Sequence, residues 1–61
     1  MFNSIEFSAQ VREMDNRNLL GQFQMASDML AASGLEQHDE KWDNTREARR
    51  ILQDEILRRM S

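Results

Sequence analysis

An all-α fold is the expectation for this 61-residue chain, and three observations lead to it. Leu19, Phe23, Ala26 and Leu30 recur every three or four residues, the spacing of one face of a helix. Ala48, Leu52 and Ile56, flanked by Ile51 and Met60, repeat that spacing nearer the C-terminus. Gly34 separates the two runs, and no proline interrupts either. The expected architecture is a short N-terminal helix packed on an antiparallel helical hairpin, in a single small domain covering residues 1–61.

The first fourteen residues support two readings. Ile5, Phe7, Ala9 and Val11 alternate with polar residues, as a strand would, while Phe7, Val11 and Met14 also share one face of a helix. A lone strand leaves its backbone groups unpaired, and the chain holds no second strand candidate. A short helix with Ser4 as N-cap is therefore expected, with pairing between two copies of the segment as the alternative.

Asp15 or Asn16 suits the N-cap of a central helix running from about Asn16 to Ser33. Gly21 inside it costs about 1 kcal/mol relative to Ala, which marks either a close approach of another helix or an exposed face. Ala31-Ala32-Ser33-Gly34 is a typical helix ending. The acidic stretch Leu35 to Asp43 is then a loop, or the first turns of a longer last helix starting near Glu36. Asn44 followed by Glu47 resembles a capping box and places the last helix from about Thr45 to Met60. Asp54 before Arg58, Glu55 before Arg59, and Arg50 with Asp54 have the spacing of pairs worth about 0.2–0.5 kcal/mol each.

A chain of this size buries only about 60% of its unfolded surface, so its interior is small. With no cysteine, disulfides and thiolate metal sites are excluded, and oligomerisation is the route to more buried surface. Two copies are expected to form a dimeric helical bundle through Leu19, Phe23, Ala26, Leu30, Leu52 and Ile56. No window is long and apolar enough to span a bilayer, and Met1-Phe2-Asn3-Ser4-Ile5-Glu6 lacks the features of a signal peptide. A cytoplasmic location is expected.

His38 with Asp39, Glu40 and Asp43 is the only cluster with metal or acid–base potential. One histidine among carboxylates, without the spacing of a calcium loop, reads as a solvated acidic linker. No catalytic residue, metal, cofactor or small-molecule substrate is expected. Arg46, Arg49, Arg50, Arg58 and Arg59 make the last helix locally basic, but Glu47, Asp54 and Glu55 lie among them and the net charge is −3. A salt-bridged solvent face is the simpler reading, with nucleic-acid binding as the alternative.

Met14, Met29 and Met60 lie near the apolar stripe and are expected as core or interface filler, whereas Met25 lies off it. Trp42, next to the acidic segment, either packs onto the hairpin or anchors a partner. Trp42, Arg46 and Arg50 are the candidate partner-binding residues. Phe2, Ile5 and Phe7 are more apolar surface than two helices can cover.

The run Val11-Arg12-Glu13-Met14-Asp15-Asn16-Arg17-Asn18-Leu19-Leu20 resembles the start of a short helical-hairpin protein family of the large ribosomal subunit. That family is strongly basic and this chain is acidic, so the resemblance implies the hairpin and not the RNA-binding role. As a whole, a short, acidic, cysteine-free helical chain beginning Met1-Phe2-Asn3-Ser4 is similar to small early accessory proteins of lambdoid bacteriophages. This second resemblance implies an adaptor acting in the host cytoplasm by binding a host or phage regulator. The expected function is thus non-catalytic protein–protein binding, by a homodimer that also takes another protein as partner. A nucleic-acid-associated regulator or a structural subunit of a larger assembly is the alternative.

Overall fold

The computed structural model describes residues 2–32 and 40–61. They form three helices, α1 (Ser4–Glu13), α2 (Asn16–Ala32) and α3 (Glu40–Met60), with no strand among the described residues. The N-terminal segment is therefore helical. Its cap is Asn3 rather than Ser4: the Asn3 backbone is extended, and its Oδ1 accepts the N–H groups of Ile5 and Glu6, both at 3.1 Å. An amide oxygen one residue earlier reaches two otherwise unpaired donors of the first turn, and Ser4 joins the helix.

Helix α1 ends where Met14 turns extended, at φ −70° and ψ 142°, with its N–H still on the Val11 carbonyl at 3.2 Å. Asp15 opens α2 directly afterwards, its Oδ1 accepting from the Asn18 N–H at 2.7 Å. Of the two caps the sequence allows, Asp15 is the one used, and the negative charge suits the positive end of the helix dipole. Gly21 has open space around it, since a Cβ there would meet no atom within 4 Å. It marks an exposed face and not a close helix approach.

Helix α3 already includes Glu40, so Asn44 and Glu47 lie inside it and no capping box forms at Asn44. Thr45 instead donates its hydroxyl to the Lys41 carbonyl within the helix, at 2.9 Å. Without a proline, nothing halts the helix at Thr45, and the acidic first turn favours its extension. The ending expected at Ser33 and Gly34, and the metal candidates His38 and Asp39, lie outside the described residues.

Both shorter helices pack on α3. Arg59, near the end of α3, meets Asn16 at the start of α2, while Arg49 meets Phe23 and Ser27 further along. Contacts that descend α3 as they ascend α2 make this pair antiparallel, as the sequence predicts. Helix α1 runs in the same sense as α3, with Phe2 and Phe7 beside Ala48 and the end of α1 beside Arg59. At a rise of about 1.5 Å per residue, the 21 residues of α3 account for most of the 35 Å long axis.

The core lies where the three helices meet. Val11 from α1, Leu19 and Ala26 from α2, and Leu52 from α3 are buried, with Phe7, Met14, Phe23, Ile51 and Ile56 packed around them. The apolar stripes of the hairpin therefore cover each other within one chain, and Val11 completes the cover.

Candidate interaction surface

Of the six residues expected at an oligomer interface, Leu19, Ala26 and Leu52 are in the intrachain core, and Phe23, Leu30 and Ile56 are half-buried. Leu19 and Leu52 are 2% and 1% exposed within the single chain. The apolar surface that does reach solvent is a different set. Ile5, Leu20, Met25, Met29, Leu57 and Met60 are all between 48% and 83% exposed. Met29 and Met60 are thus exposed in the single chain and not part of its core. Met14 packs against the core as expected, and Met25 is exposed.

Four of these six residues are gathered at two places. Met25 and Met29, one helical turn apart on α2, form with Phe2, Phe7, Ala48 and Leu52 the walls of an open groove of about 260 Å³. Phe2 and Phe7 stack at 5.7 Å with their planes tilted by 54°, which closes one side. This contact answers part of the N-terminal excess of apolar surface, but Ile5 remains in solvent at 83%. At the other end of the molecule, Leu20, Ile56 and Met60 line a pocket of about 250 Å³ between α2 and α3, with Leu19 at its floor.

The arginines of α3 divide by partner. Arg50 pairs bidentately with Glu47, its Nη2 at 2.6 Å and Nε at 3.4 Å, and reaches Asp54 at 3.8 Å. The hydrogen bond and charge of Arg50 hold the Glu47 carboxyl below its usual range. Arg58 turns to Glu55 at 2.7 and 3.0 Å rather than to Asp54, correcting the spacing-based expectation. A buried carboxylate is the stronger attractor, because Asp54 stays two-thirds exposed and solvated. Arg46 and Arg49 instead lie over aromatic rings, Arg46 at 5.9 Å from the Trp42 centroid and Arg49 at 5.4 Å from that of Phe23. Arg49 also donates Nε–H to the Ser27 hydroxyl at 3.0 Å. Trp42 is half-buried, with the Arg46 guanidinium of the same helix over its ring.

Among the described residues, Glu55 has the most displaced titration. It is 6% exposed and accepts two bonds from Arg58 and one from Arg59 at 2.7 Å. These hydrogen bonds, Arg58 first, hold its carboxyl down at about 2, against an ordinary value of 4.5. A carboxylate so held stays ionised at neutral pH, and its acceptor sites are filled by guanidinium, so it serves structure and not proton transfer. Because the folded value is depressed, the stabilisation is complete above the unfolded value of 4.5 and disappears as pH falls towards 2. Thermal melts across that window are expected to show wild type more stable than Glu55→Gln above about pH 5 and the two converging near about pH 2. Parallel melting curves throughout would remove Glu55 as a contributor.

Sequence spacing also misses where Arg59 goes. Beyond Glu55, its Nη2 donates to the Met14 carbonyl at 2.6 Å and the Arg12 carbonyl at 3.2 Å, and its Nη1 to Asn16 Oδ1 at 2.7 Å. The side chain caps α1, fixes the α1–α2 turn and ties both to α3. No local pattern announces this, since the partners lie more than forty positions away.

Among the described residues no group of three or more histidine, aspartate or glutamate side chains could hold a metal, and Glu40 and Asp43 are exposed on the first turn of α3. No described helix is long and apolar enough to cross a membrane. Comparison with protein-family models, with curated proteins and with solved structures found no significant match.

Proposed function

We propose that this chain is a small non-catalytic protein-interaction module, of the accessory-regulator kind found in lambdoid phages, acting in the cytoplasm on a host or phage protein. The observation that supports this reading is the apolar surface left after the three helices have packed on one another. Leu20 at 56%, Met25 at 57% and Met60 at 76% exposure remain in water although the core is formed. Grouped apolar side chains on a small domain are more often interaction sites than incidental exposure. Methionine suits such a surface, because its flexible thioether adapts to a partner's shape.

Self-association of two copies belongs to the same proposal, and it would draw on this exposed set rather than on Leu19 and Leu52. Sedimentation equilibrium is expected to give a dimer, and a monomer at all concentrations would remove that part. For the wider reading, affinity capture is expected to retain a discrete protein on wild type. A variant with Leu20→Glu and Met25→Glu should lose it while keeping its helical circular dichroism. Equal capture by both proteins, or no protein captured by either, would overturn the reading.

A further inference from the structure

The α2/α3 edge has a built polarity that the interaction reading by itself does not explain. Trp42, Arg46, Arg49, Gln53, Ile56 and Met60 follow one another at alternating steps of four and three residues. That spacing aligns them along one face of α3. The contacts of Arg49 with Phe23 and Ser27, and the pocket that Ile56 and Met60 line together with Leu20, place this face beside α2. The edge is cationic at one end and apolar at the other.

The cationic end is organised differently from the remaining arginines of α3. Arg50, Arg58 and Arg59 hold carboxylates, but among the described residues Arg46 and Arg49 form no ion pair. Each is carried instead over an aromatic ring, at 5.9 and 5.4 Å. A guanidinium held over a ring is attracted by the ring's quadrupole without spending its N–H donors, which can still meet an anion. This placement also limits the rotamer freedom that a binding event must remove. Among the described residues, the Nε–H of Arg49 is engaged by Ser27.

We infer that this edge docks an acidic, apolar-anchored helical peptide segment of a partner protein, with carboxylates on Arg46 and Arg49 and an apolar side chain between Leu20 and Met60. The inference rests on the interaction reading above and specifies the partner's chemistry. Arg49 and Ile56 are seven residues apart, about 10 Å along the helix at about 1.5 Å per residue. A docked helix therefore matches the edge when an acidic and an apolar residue stand two turns apart. Nucleic acid fits less well. The apolar end of the edge offers nothing to a phosphate backbone, whereas a peptide can present a carboxylate to one end and an apolar side chain to the other.

The test is selection of peptides from a random display library on the full chain, followed by fluorescence anisotropy with the selected peptides and with a labelled single-stranded DNA. The expected peptides combine an apolar residue with acids about two turns away. Their affinity should fall at least about tenfold with Arg46→Gln plus Arg49→Gln, and equally when their acids become amides. Both substituted arginines are exposed, so the variant keeps the fold, which circular dichroism checks. Selected peptides that lack acids, or that bind the variant unchanged and respond instead to Met25→Glu, would overturn this inference and leave the interaction reading standing. DNA binding without any peptide selected would overturn both.

Discussion

Arg59→Ala is expected to lower the melting temperature more than any other charged-residue substitution and to free α1 from α3. The side chain is mostly buried, at 22% exposure, and one guanidinium serves all three helices. It donates to Glu55, to the Met14 and Arg12 carbonyls at the end of α1, and to Asn16 at the start of α2. Truncation leaves carbonyls of the α1 terminus without a donor and a nearly buried carboxylate with one partner instead of two. Hydrogen bonds to a charged group and half-broken buried pairs together suggest a loss of about 2–3 kcal/mol. For a chain of this length total stability is about 3–9 kcal/mol, so such a loss consumes much of it. Amide hydrogen exchange should report the loss first in α1, with Val11 and its neighbours losing protection before the α2/α3 pair. Uniform loss across all helices would show that α1 is not held separately. Arg59→Lys is a useful companion, because it keeps the charge but lacks the planar fork that reaches several acceptors, and is expected to recover only part of the stability.

The second large effect belongs to Leu52. It is 1% exposed and is the buried α3 residue that meets the core residues of α1 and α2. Leu52→Ala removes that side chain from the middle of a small core and is expected to cost about 2–5 kcal/mol, depending on how far the surroundings collapse. Leu52→Asp would bury a charge without a partner and is expected to abolish the cooperative thermal transition. Chemical denaturation of the alanine variant gives the magnitude, and circular dichroism of the aspartate variant gives the outcome. A wild-type melting curve for either would place Leu52 outside the core. Exposed Met25 offers the contrast, since its side chain is mostly in solvent and Met25→Ala should change stability by no more than about 0.5 kcal/mol.

Much of the fold is legible in the residues themselves. The stripe Leu19, Phe23, Ala26 and the repeat Leu52, Ile56 give the two long helices and the faces they bury, because helical periodicity is a local property. The preference for a helix over a strand at residues 4–13 rests on pairing logic alone, and the helix is found there. Capping is less well read. Asn3 and Ser4 are both good caps in isolation, and in the fold it is Asn3 that is extended and accepts the first-turn N–H groups. Asn44 carries a capping pattern that goes unused, because the helix has already started before it.

The candidate site is where sequence reasoning falls short. Spacing shows which arginines can reach which acids along one helix, and it identifies Glu55 with Arg59 and Arg50 with Asp54. It does not weigh acceptors that compete, so Arg58 is assigned to Asp54 although the buried Glu55 takes it. Nor does it separate Arg50, held by two carboxylates, from Arg49, which lies over Phe23 on another helix. Of the expected partner-binding trio, Trp42 and Arg46 lie on the α2/α3 edge, while Arg50 is tied within α3.

The sequence by itself determined the helical class, the limits of the long apolar faces and the acidic balance, all of which follow from periodicity and composition along the chain. The tertiary structure alone decided which apolar residues stay in water, which arginines keep free donors, and that Arg59 joins the ends of α1 and α2 to α3. The reason is physical. Burial and hydrogen-bond partnership depend on which helix lies across which, and residues more than forty positions apart become neighbours only when the chain has folded.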